Sequence, residues 1–376
     1  MTTPVPFIDL AAQRERIREK LESSIASVIE SGRYILGPEV KELEERLRDF
    51  GKAPHALACA NGTDALVLPL MAWGLKPGDA VFVPSFTFAS TAEVVPWLGA
   101  TPVFIDVKPD TYCMDPESLS AAIEQVKADG KLNPRVVIAV DLFGQPANYP
   151  QISGIARKHG LKLIADSAQG FGCTLNGNHP IHWADVTTIS FYPAKPLGGY
   201  GDGGALLCKD EELLKTIRCL ATHGQSQTTY DYIRIGMNSR LDTIQAAVLL
   251  AKMDVFEDEI RTRNEAAARY ADGFGDLVSP HHVIDGGVSV WAQYTIEVDN
   301  RDEFRKKLID EGVPTAVYYP KPLHVQKPYT GFGRAPTGLH VTEAACERVV
   351  SLPMDGYLYG QRQDRVIAAV RKALGG

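Results

Sequence analysis

The stretch that decides the fold reads Ser190-Phe191-Tyr192-Pro193-Ala194-Lys195-Pro196-Leu197-Gly198-Gly199-Tyr200-Gly201-Asp202-Gly203-Gly204. It sets one lysine, Lys195, between the end of an apolar run and five glycines in seven residues. A lysine in a packed setting has a lowered pKa and can form a Schiff base with a carbonyl. Glycines let the backbone approach a ligand closely. A solvated lysine in a flexible loop is the alternative, but the flanking strand and glycines favour a packed site.

The glycine run is not a dinucleotide-binding motif. In Gly199–Gly204 the third glycine falls one place early, and a strand rather than a helix is predicted to follow.

On both sides of Lys195, short apolar runs alternate with amphipathic stretches. This alternation predicts a mainly parallel sheet covered by helices, with its ligand bound at the C-terminal ends of the strands. The runs are His55–Cys59, Ala80–Val83, Pro102–Ile105, Arg135–Val140, Lys162–Ala165, Val186–Ser190 and Ala205–Cys208. The amphipathic stretches between them include Thr63–Trp73, Pro116–Ala128 and Tyr149–His159.

Periodicity further along the chain predicts a second, smaller domain. A long helical pattern runs from about Leu241 to Phe274 and leaves the large domain. The later elements are a strand over Val290–Val298, a helix over Arg301–Glu311, a strand over Thr315–Tyr318 and a helix over Gln361–Leu374. We therefore expect a large α/β domain over residues 1–255 and a smaller α+β domain over residues 256–376.

Composition excludes several classes of protein. The 376 residues carry a formal net charge of −7, and no dense Lys/Arg run offers a nucleic-acid surface. The six cysteines have no metal-ligand spacing, so we expect no metal and free thiols in a reducing compartment. No signal peptide is evident, and no apolar run approaches the roughly 20 residues of a membrane span. A cytoplasmic protein without a membrane partner is the prediction.

Two further strand ends carry polar residues. Cys59-Ala60-Asn61-Gly62-Thr63 joins a strand to a helix, so its backbone N–H groups suit a phosphate. A plain helix cap by Asn61 or Thr63 explains that segment alone equally simply. Asp166 directly follows the strand Lys162–Ala165, where a carboxylate needs a partner such as a protonated pyridine nitrogen. Capping of the next helix by Asp166 is the alternative.

A third segment, Pro84-Ser85-Phe86-Thr87-Phe88-Ala89-Ser90, follows the strand Ala80–Val83. An aromatic residue there can stack on a flat heterocycle, or it can simply fill the core. Each of these segments alone is weak evidence for a ligand site, and it is their order along the chain that supports one.

Taken together, the chain resembles the sugar-nucleotide aminotransferases of the DegT/DnrJ/EryC1/StrS family, which have the aspartate aminotransferase fold (fold type I) and use pyridoxal 5′-phosphate. The resemblance covers nearly the whole length. Besides the segments above, it includes Phe7–Leu10, Tyr34–Val40, Asn238–Asp242, Tyr319–His324 and Ser351–Met354.

The resemblance implies a role for individual residues. Lys195 would be the Schiff-base lysine and proton shuttle, Asp166 would pair with the pyridinium nitrogen, and Gln169 would contact the ring hydroxyl. Phe88 would stack on the ring, and the phosphate would be held by Gly62, Thr63 and Ser190. Asn238 would reach the phosphate of a neighbouring subunit, which implies a homodimer with shared active sites. Near the substrate would lie Arg240, Tyr319 and His324.

Finer motifs point to a substrate. Lys195–Gly198, His223–Gln225 and Ile233–Asp242 resemble the enzymes that aminate C3 of UDP-2-acetamido-2-deoxy-3-oxo-glucuronate, with glutamate as the expected amino donor, for surface polysaccharides such as O-antigen. Two residues depart from the pattern. Tyr318 stands where the nearest relatives have His, and Asp141 where many have His or Ser. Both leave the identity of the sugar open.

Three alternatives remain. One is an aminotransferase acting at C4 of a 4-keto-6-deoxy sugar nucleotide. Another is a sugar 3-dehydratase of the same fold, whose relatives carry His in place of the lysine, so Lys195 argues against it. The third is a non-enzymatic regulator, which would not need the set of Lys195, Asp166 and Gln169.

Overall fold

The computed structural model describes residues 5–228 and 230–375. Helices and strands alternate through its first two thirds, as the sequence predicts. The helices are α1 (Leu10–Arg16), α2 (Arg18–Ser31), α3 (Pro38–Phe50), α4 (Gly62–Ala72), α5 (Ser90–Trp97), α6 (Pro116–Asp129), α7 (Tyr149–His159), α8 (Glu211–Ala221), α9 (Thr243–Phe274), α10 (Arg301–Asp310), α11 (His340–Arg348) and α12 (Gln361–Leu374). The strands are β1 (His55–Cys59), β2 (Asp79–Pro84), β3 (Thr101–Ile105), β4 (Asn133–Val140), β5 (Lys162–Asp166), β6 (Thr174–Leu175), β7 (Val186–Ser190), β8 (Gly204–Cys208), β9 (Gly287–Val288), β10 (Tyr294–Glu297), β11 (Gly333–Arg334) and β12 (Val349–Leu352).

Eight strands form one sheet in the order β1-β8-β7-β5-β4-β2-β3-β11. The strands from β7 to β11 pair in parallel, whereas β8 runs antiparallel to both β1 and β7. Strands β2, β5, β7 and β8 are buried almost throughout because helices cover both faces. The parallel strands therefore direct their carboxyl ends to one edge of the sheet, where ligands bind in such folds.

Local sequence explains where the helices begin and end. In α7, the Asn148 side chain accepts a hydrogen bond from the backbone N–H of Gln151, and Pro150 occupies the first turn. Gly160 ends the helix in the left-handed region at φ 67°, which a residue with a Cβ rarely adopts. Such caps account for the close agreement between predicted and observed bounds of this helix.

The C-terminal part forms a second layer around its own apolar cluster. Strands β10 and β12 pair antiparallel, helix α12 packs against α9, and α10 packs against α12 and β12. Tyr270, Tyr294 and Val366 are fully buried in this cluster. Helix α9 runs continuously through the predicted boundary between residues 255 and 256. The division into 1–255 and 256–376 stays a prediction, and residues 1–4, 229 and 376 of those ranges lie outside the described residues.

Two predicted strands differ from the structure. The strand expected over Val290–Val298 is shorter, because the backbone of residues 290–292 packs on Gly144, where a Cβ would lie 2.6 Å from Ala292 N. The strand expected over Thr315–Tyr318 is wrong. Only Ala316 pairs, with Ser351 of β12, and the segment then turns toward the cavity described below. In the described part of the chain, no helix combines the length and apolar character that crossing a membrane requires.

Candidate active site

The carboxyl ends of β5 and β7 and the starts of α4 and α5 surround a cavity of about 740 Å³. This cavity brings together residues that lie far apart in sequence, since parallel strands end at the same edge. The predicted site residues that line it are Gly62, Thr63, Phe88, Asp166, Gln169, Ser190, Lys195 and Tyr319.

Lys195 reaches the cavity from a tight turn after β7. Its backbone N–H donates to Tyr192 O at 2.8 Å, and Gly199 N–H donates back to Phe191 O at 2.7 Å. Burial lowers the pKa of the Lys195 amine, and the negative charge of Asp166 only partly opposes this. The amine is therefore closer to its neutral, nucleophilic form than a solvated lysine would be.

Asp166 ends β5 and is 4% exposed. Its carboxylate accepts hydrogen bonds from Thr91 Oγ1 at 2.9 Å and from the backbone N–H of Ala168 at 3.2 Å. Burial raises the pKa of Asp166, while these two hydrogen bonds and the charge of Lys195 lower it. A buried carboxylate facing a cavity is stabilised by a bound cation, and a protonated ring nitrogen supplies one.

The start of α4 is shaped to receive an anion. Asn61 caps the helix by accepting from the backbone N–H of Asp64 at 2.8 Å, so the capping alternative also holds. Gly62 lies so close to Ser190 that a Cβ would come within 2.7 Å of the Ser190 Cβ. Thr63 Oγ1 lies 2.8 Å from Ser90 Oγ. The helix N-terminus and these hydroxyls suit a phosphate group.

Gln169 and Tyr319 form one wall. Gln169 Oε1 accepts from Phe143 N–H at 2.8 Å, and its Nε2 donates to Tyr319 Oη at 2.9 Å. Phe88 is 57% exposed although aromatic, and its ring centroid lies 6.3 Å from that of Tyr319. An exposed ring at a cavity wall is available to stack on a flat heterocycle.

Three predicted residues do not line this cavity. Asn238 is exposed, and its Oδ1 accepts a hydrogen bond from Nε of the half-buried Arg240 at 3.0 Å. His324 is 2% exposed, with Nδ1 2.8 Å from Ser85 Oγ and Nε2 3.1 Å from Glu343 Oε1. His324 is therefore buried and hydrogen-bonded in this chain, and its contact with a substrate stays a prediction.

Comparison with known proteins agrees with this geometry. Residues 15–371 match the DegT/DnrJ/EryC1/StrS aminotransferase family. The chain belongs to this family. It is 45% identical over 355 residues to UDP-2-acetamido-2-deoxy-3-oxo-D-glucuronate aminotransferase of Pseudomonas aeruginosa, which covers 94% of this chain and 96% of that protein.

Two solved structures are similar to this chain in their three-dimensional fold. A DegT/DnrJ/EryC1/StrS aminotransferase from Brucella abortus superposes with a TM-score of 0.97 at 50% identity, covering 99% of this chain and all of that one. NtdA from Bacillus subtilis, solved with bound cofactor PMP, gives a TM-score of 0.88 at 28% identity and covers all of this chain and 86% of that one. The predicted fold type I, the enzyme class of nucleotide-sugar aminotransferase and the cofactor pyridoxal phosphate are confirmed.

The residues present fit this DegT-family cofactor. The anion-binding start of α4, the buried carboxylate of Asp166 and the lysine of lowered pKa all open onto one cavity. These groups match the phosphate, the ring nitrogen and the aldehyde of pyridoxal phosphate in chemical character.

Sequence reasoning missed several residues of the cavity wall. Thr91 bonds Asp166 and is backed by Thr87, whose Oγ1 lies 3.1 Å from Thr91 Oγ1. Both hydroxyls sit in or just after the segment already singled out for Phe88, which was the available clue. The other missed wall residues include Glu93, Trp97, Tyr192, Asp202 and Gln293. Tyr318, noted above only as a departure from the family pattern, also lines the cavity.

Asp141, which departs from the family pattern, is fully buried behind the cavity. Its carboxylate accepts from Tyr149 Oη at 2.6 Å, from Ala147 N–H at 3.0 Å and from Ser167 Oγ. The pKa of Asp141 is raised to about 7, mainly by burial and to a smaller extent by the charge of Asp166, although the three hydrogen bonds oppose the rise. Asp141 is thus a hydrogen-bonded core group rather than a substrate ligand.

This raised pKa predicts how stability depends on pH. An acid whose folded pKa exceeds its unfolded pKa contributes stability that is present below about pH 3.8 and is lost as pH rises through about 7. At about 1.4 kcal/mol per pKa unit, the loss is at most a few kcal/mol. We expect Asp141→Asn to be less destabilised relative to wild type at pH 8 than at pH 5, measured by urea unfolding. Equal differences at both pH values would contradict this.

Proposed function

We propose that this enzyme moves an amino group from glutamate to C3 of a UDP-linked 3-keto sugar, UDP-2-acetamido-2-deoxy-3-oxo-glucuronate. The observation that carries the chemistry is one cavity holding both Lys195 and Asp166, each with its pKa shifted by burial. The choice of sugar is supported by the Pseudomonas aeruginosa relative named for that substrate.

Each residue has a defined task in this proposal. When bound, pyridoxal phosphate supplies an electron sink and carries the amino group between the two substrates. Lys195 Nζ, whose pKa burial lowers, accepts the proton from Cα of glutamate and later delivers a proton to C3 of the sugar. Asp166 stabilises positive charge on the ring nitrogen. The phosphate is bound by Gly62, Thr63 and Ser190.

The exposed segment that carries Asn238 supports a homodimer with shared active sites. Tyr232, Ile233 and Ile235 are 56%, 62% and 93% exposed, respectively, which is unusual for such apolar side chains close together in the chain. We propose that this segment packs on a second copy and that Asn238 reaches the phosphate there. Arg240, held beside Asn238, would then meet a carboxylate of the substrate in the neighbouring site.

A substitution tests this arrangement. We expect Asn238→Ala to weaken pyridoxal phosphate binding about 10- to 100-fold, because a hydrogen bond to a charged group is lost. Cofactor affinity by fluorescence titration and subunit number by analytical ultracentrifugation are the measurements. The exposed Asn300, which begins α10, gives a control in Asn300→Ala. Unchanged affinity in Asn238→Ala, or a monomeric wild type, would refute the shared site.

The visible spectrum of the purified enzyme tests the function itself. We expect an absorbance band near ~410–430 nm from the bound cofactor, which glutamate bleaches and the UDP-linked 3-keto sugar restores. If only a 4-keto-6-deoxy sugar nucleotide restores the band, amination at C4 replaces the proposal. If no band forms after pyridoxal phosphate is supplied, a non-enzymatic role becomes the better account. The cytoplasmic location and the polysaccharide pathway stay predictions.

A further inference from the structure

Gln293 is a buried polar residue of the cavity wall that none of the roles above uses. It directly precedes β10, lines the same cavity as Lys195, and is 8% exposed. Within residues 5–228 and 230–375, its side-chain oxygen Oε1 has no hydrogen-bond partner. An unpaired buried acceptor is unfavourable in free energy, so its presence at the wall of a cavity indicates a ligand that donates a hydrogen bond to it.

The surroundings of Gln293 fix its backbone, whereas its side-chain oxygen has no partner within the part of the chain that the structure describes. Its backbone N–H donates to Phe143 O at 3.3 Å, which places the residue beside the wall formed by Gln169. The amide of Gln169 is already engaged with Phe143 N–H and Tyr319 Oη. Gln293 is therefore anchored at the cavity wall through its backbone, and among the described residues its Oε1 has no hydrogen-bond partner.

We propose that the amide of Gln293 is a specificity-determining contact that accepts a hydrogen bond from a hydroxyl or acetamido N–H of the sugar. This inference rests on the proposed function. Among the three ligands, the donor glutamate presents carboxylates, which only accept hydrogen bonds, and an ammonium that is consumed at the reacting atom. The polar groups of the cofactor have partners in Asp166, Gln169 and the start of α4. The sugar is the remaining ligand with several free donors.

Measuring the glutamate and keto-sugar half-reactions separately distinguishes a contact to the sugar from a general effect on the active site. In Gln293→Met, a change close in length that removes the amide, we expect glutamate to bleach the cofactor band within about twofold of the wild-type rate. Restoration of the band by the keto sugar should lose about 10-fold or more in kcat/KM, because one hydrogen bond to the sugar is missing. Gln361→Met, on the exposed first turn of α12, serves as the matched control.

Thermal unfolding without substrate completes the test. Because Gln293 Oε1 has no partner to lose, Gln293→Met should unfold at the wild-type temperature or above it. A markedly lower temperature would assign Gln293 a structural role and overturn the proposal. Equal slowing of both half-reactions, or none, would also overturn it. If the wild-type enzyme itself fails to use the keto sugar, the proposed function fails instead, and the two failures are distinguishable.

Discussion

Replacing Lys195 with alanine is expected to abolish amino transfer while leaving the fold intact. The backbone hydrogen bond from residue 195 to Tyr192 O does not need the side chain, so the turn persists. The amine that moves the proton is lost, and removal of a positioned general acid–base costs about 10²–10⁴-fold or more in rate. The measurement is kcat for amino transfer from glutamate to the keto sugar, with circular dichroism as the check of folding.

Lys195→Arg is the matched comparison. It retains a positive charge near Asp166, but a guanidinium does not give up its proton at neutral pH and cannot shuttle one. We expect this variant to fold and to be as inactive as the alanine variant. Near-native turnover by either variant would remove Lys195 from the chemistry.

Asp166→Asn is expected to have the second-largest effect. The amide keeps the size of the carboxylate and an oxygen able to accept from Thr91 Oγ1, so packing at the end of β5 is preserved. The negative charge that stabilises a protonated ring nitrogen is lost. Removing one preorganised electrostatic partner from an active site costs about 10²–10³-fold in kcat, and the spectrum of the bound cofactor should change as well.

The control for this charge loss lies at the other end of the same sheet. Asp185 precedes β7, and its carboxylate accepts from the backbone N–H of Leu163 outside the cavity. Asp185→Asn removes the same charge and should leave kcat within about twofold of wild type, as surface substitutions usually do. An Asp166→Asn enzyme as active as Asp185→Asn would show that the ring nitrogen needs no carboxylate.

The fold was largely predictable because local sequence encodes it. Helices α7 and α12 were predicted at their observed bounds, since caps and helical periodicity lie within each segment. The buried strands β1 and β7 were likewise predicted as short apolar runs. The segment 315–318 was mispredicted, because apolar residues there turn toward the cavity and only Ala316 pairs with a strand. Long-range packing determines the conformation of this segment, and such packing leaves no trace in the periodicity of the sequence.

The candidate site was predictable only in part, for a similar reason. Lys195 stood out because an apolar run and five glycines flank it, and Asp166 because a carboxylate at the end of a buried strand requires a partner. Thr91 escaped notice because its partner lies 75 residues away. His324 was placed near the substrate by resemblance; its buried imidazole lies between Ser85 and Glu343, and its contact with a substrate stays a prediction. A residue's position in the chain does not reveal the direction of its side chain, and that direction decides which residues reach the cavity.

The attachment point of the cofactor tests the central claim most directly. We would load the enzyme with pyridoxal phosphate, reduce it with borohydride, digest it and identify the modified lysine by mass spectrometry. The account predicts modification at Lys195. Lys252 is a stringent internal rival, because it is 2% exposed, donates to Gly198 O at 2.6 Å and has its pKa lowered by burial to about 8. Modification of Lys252, or of no lysine, would contradict the account.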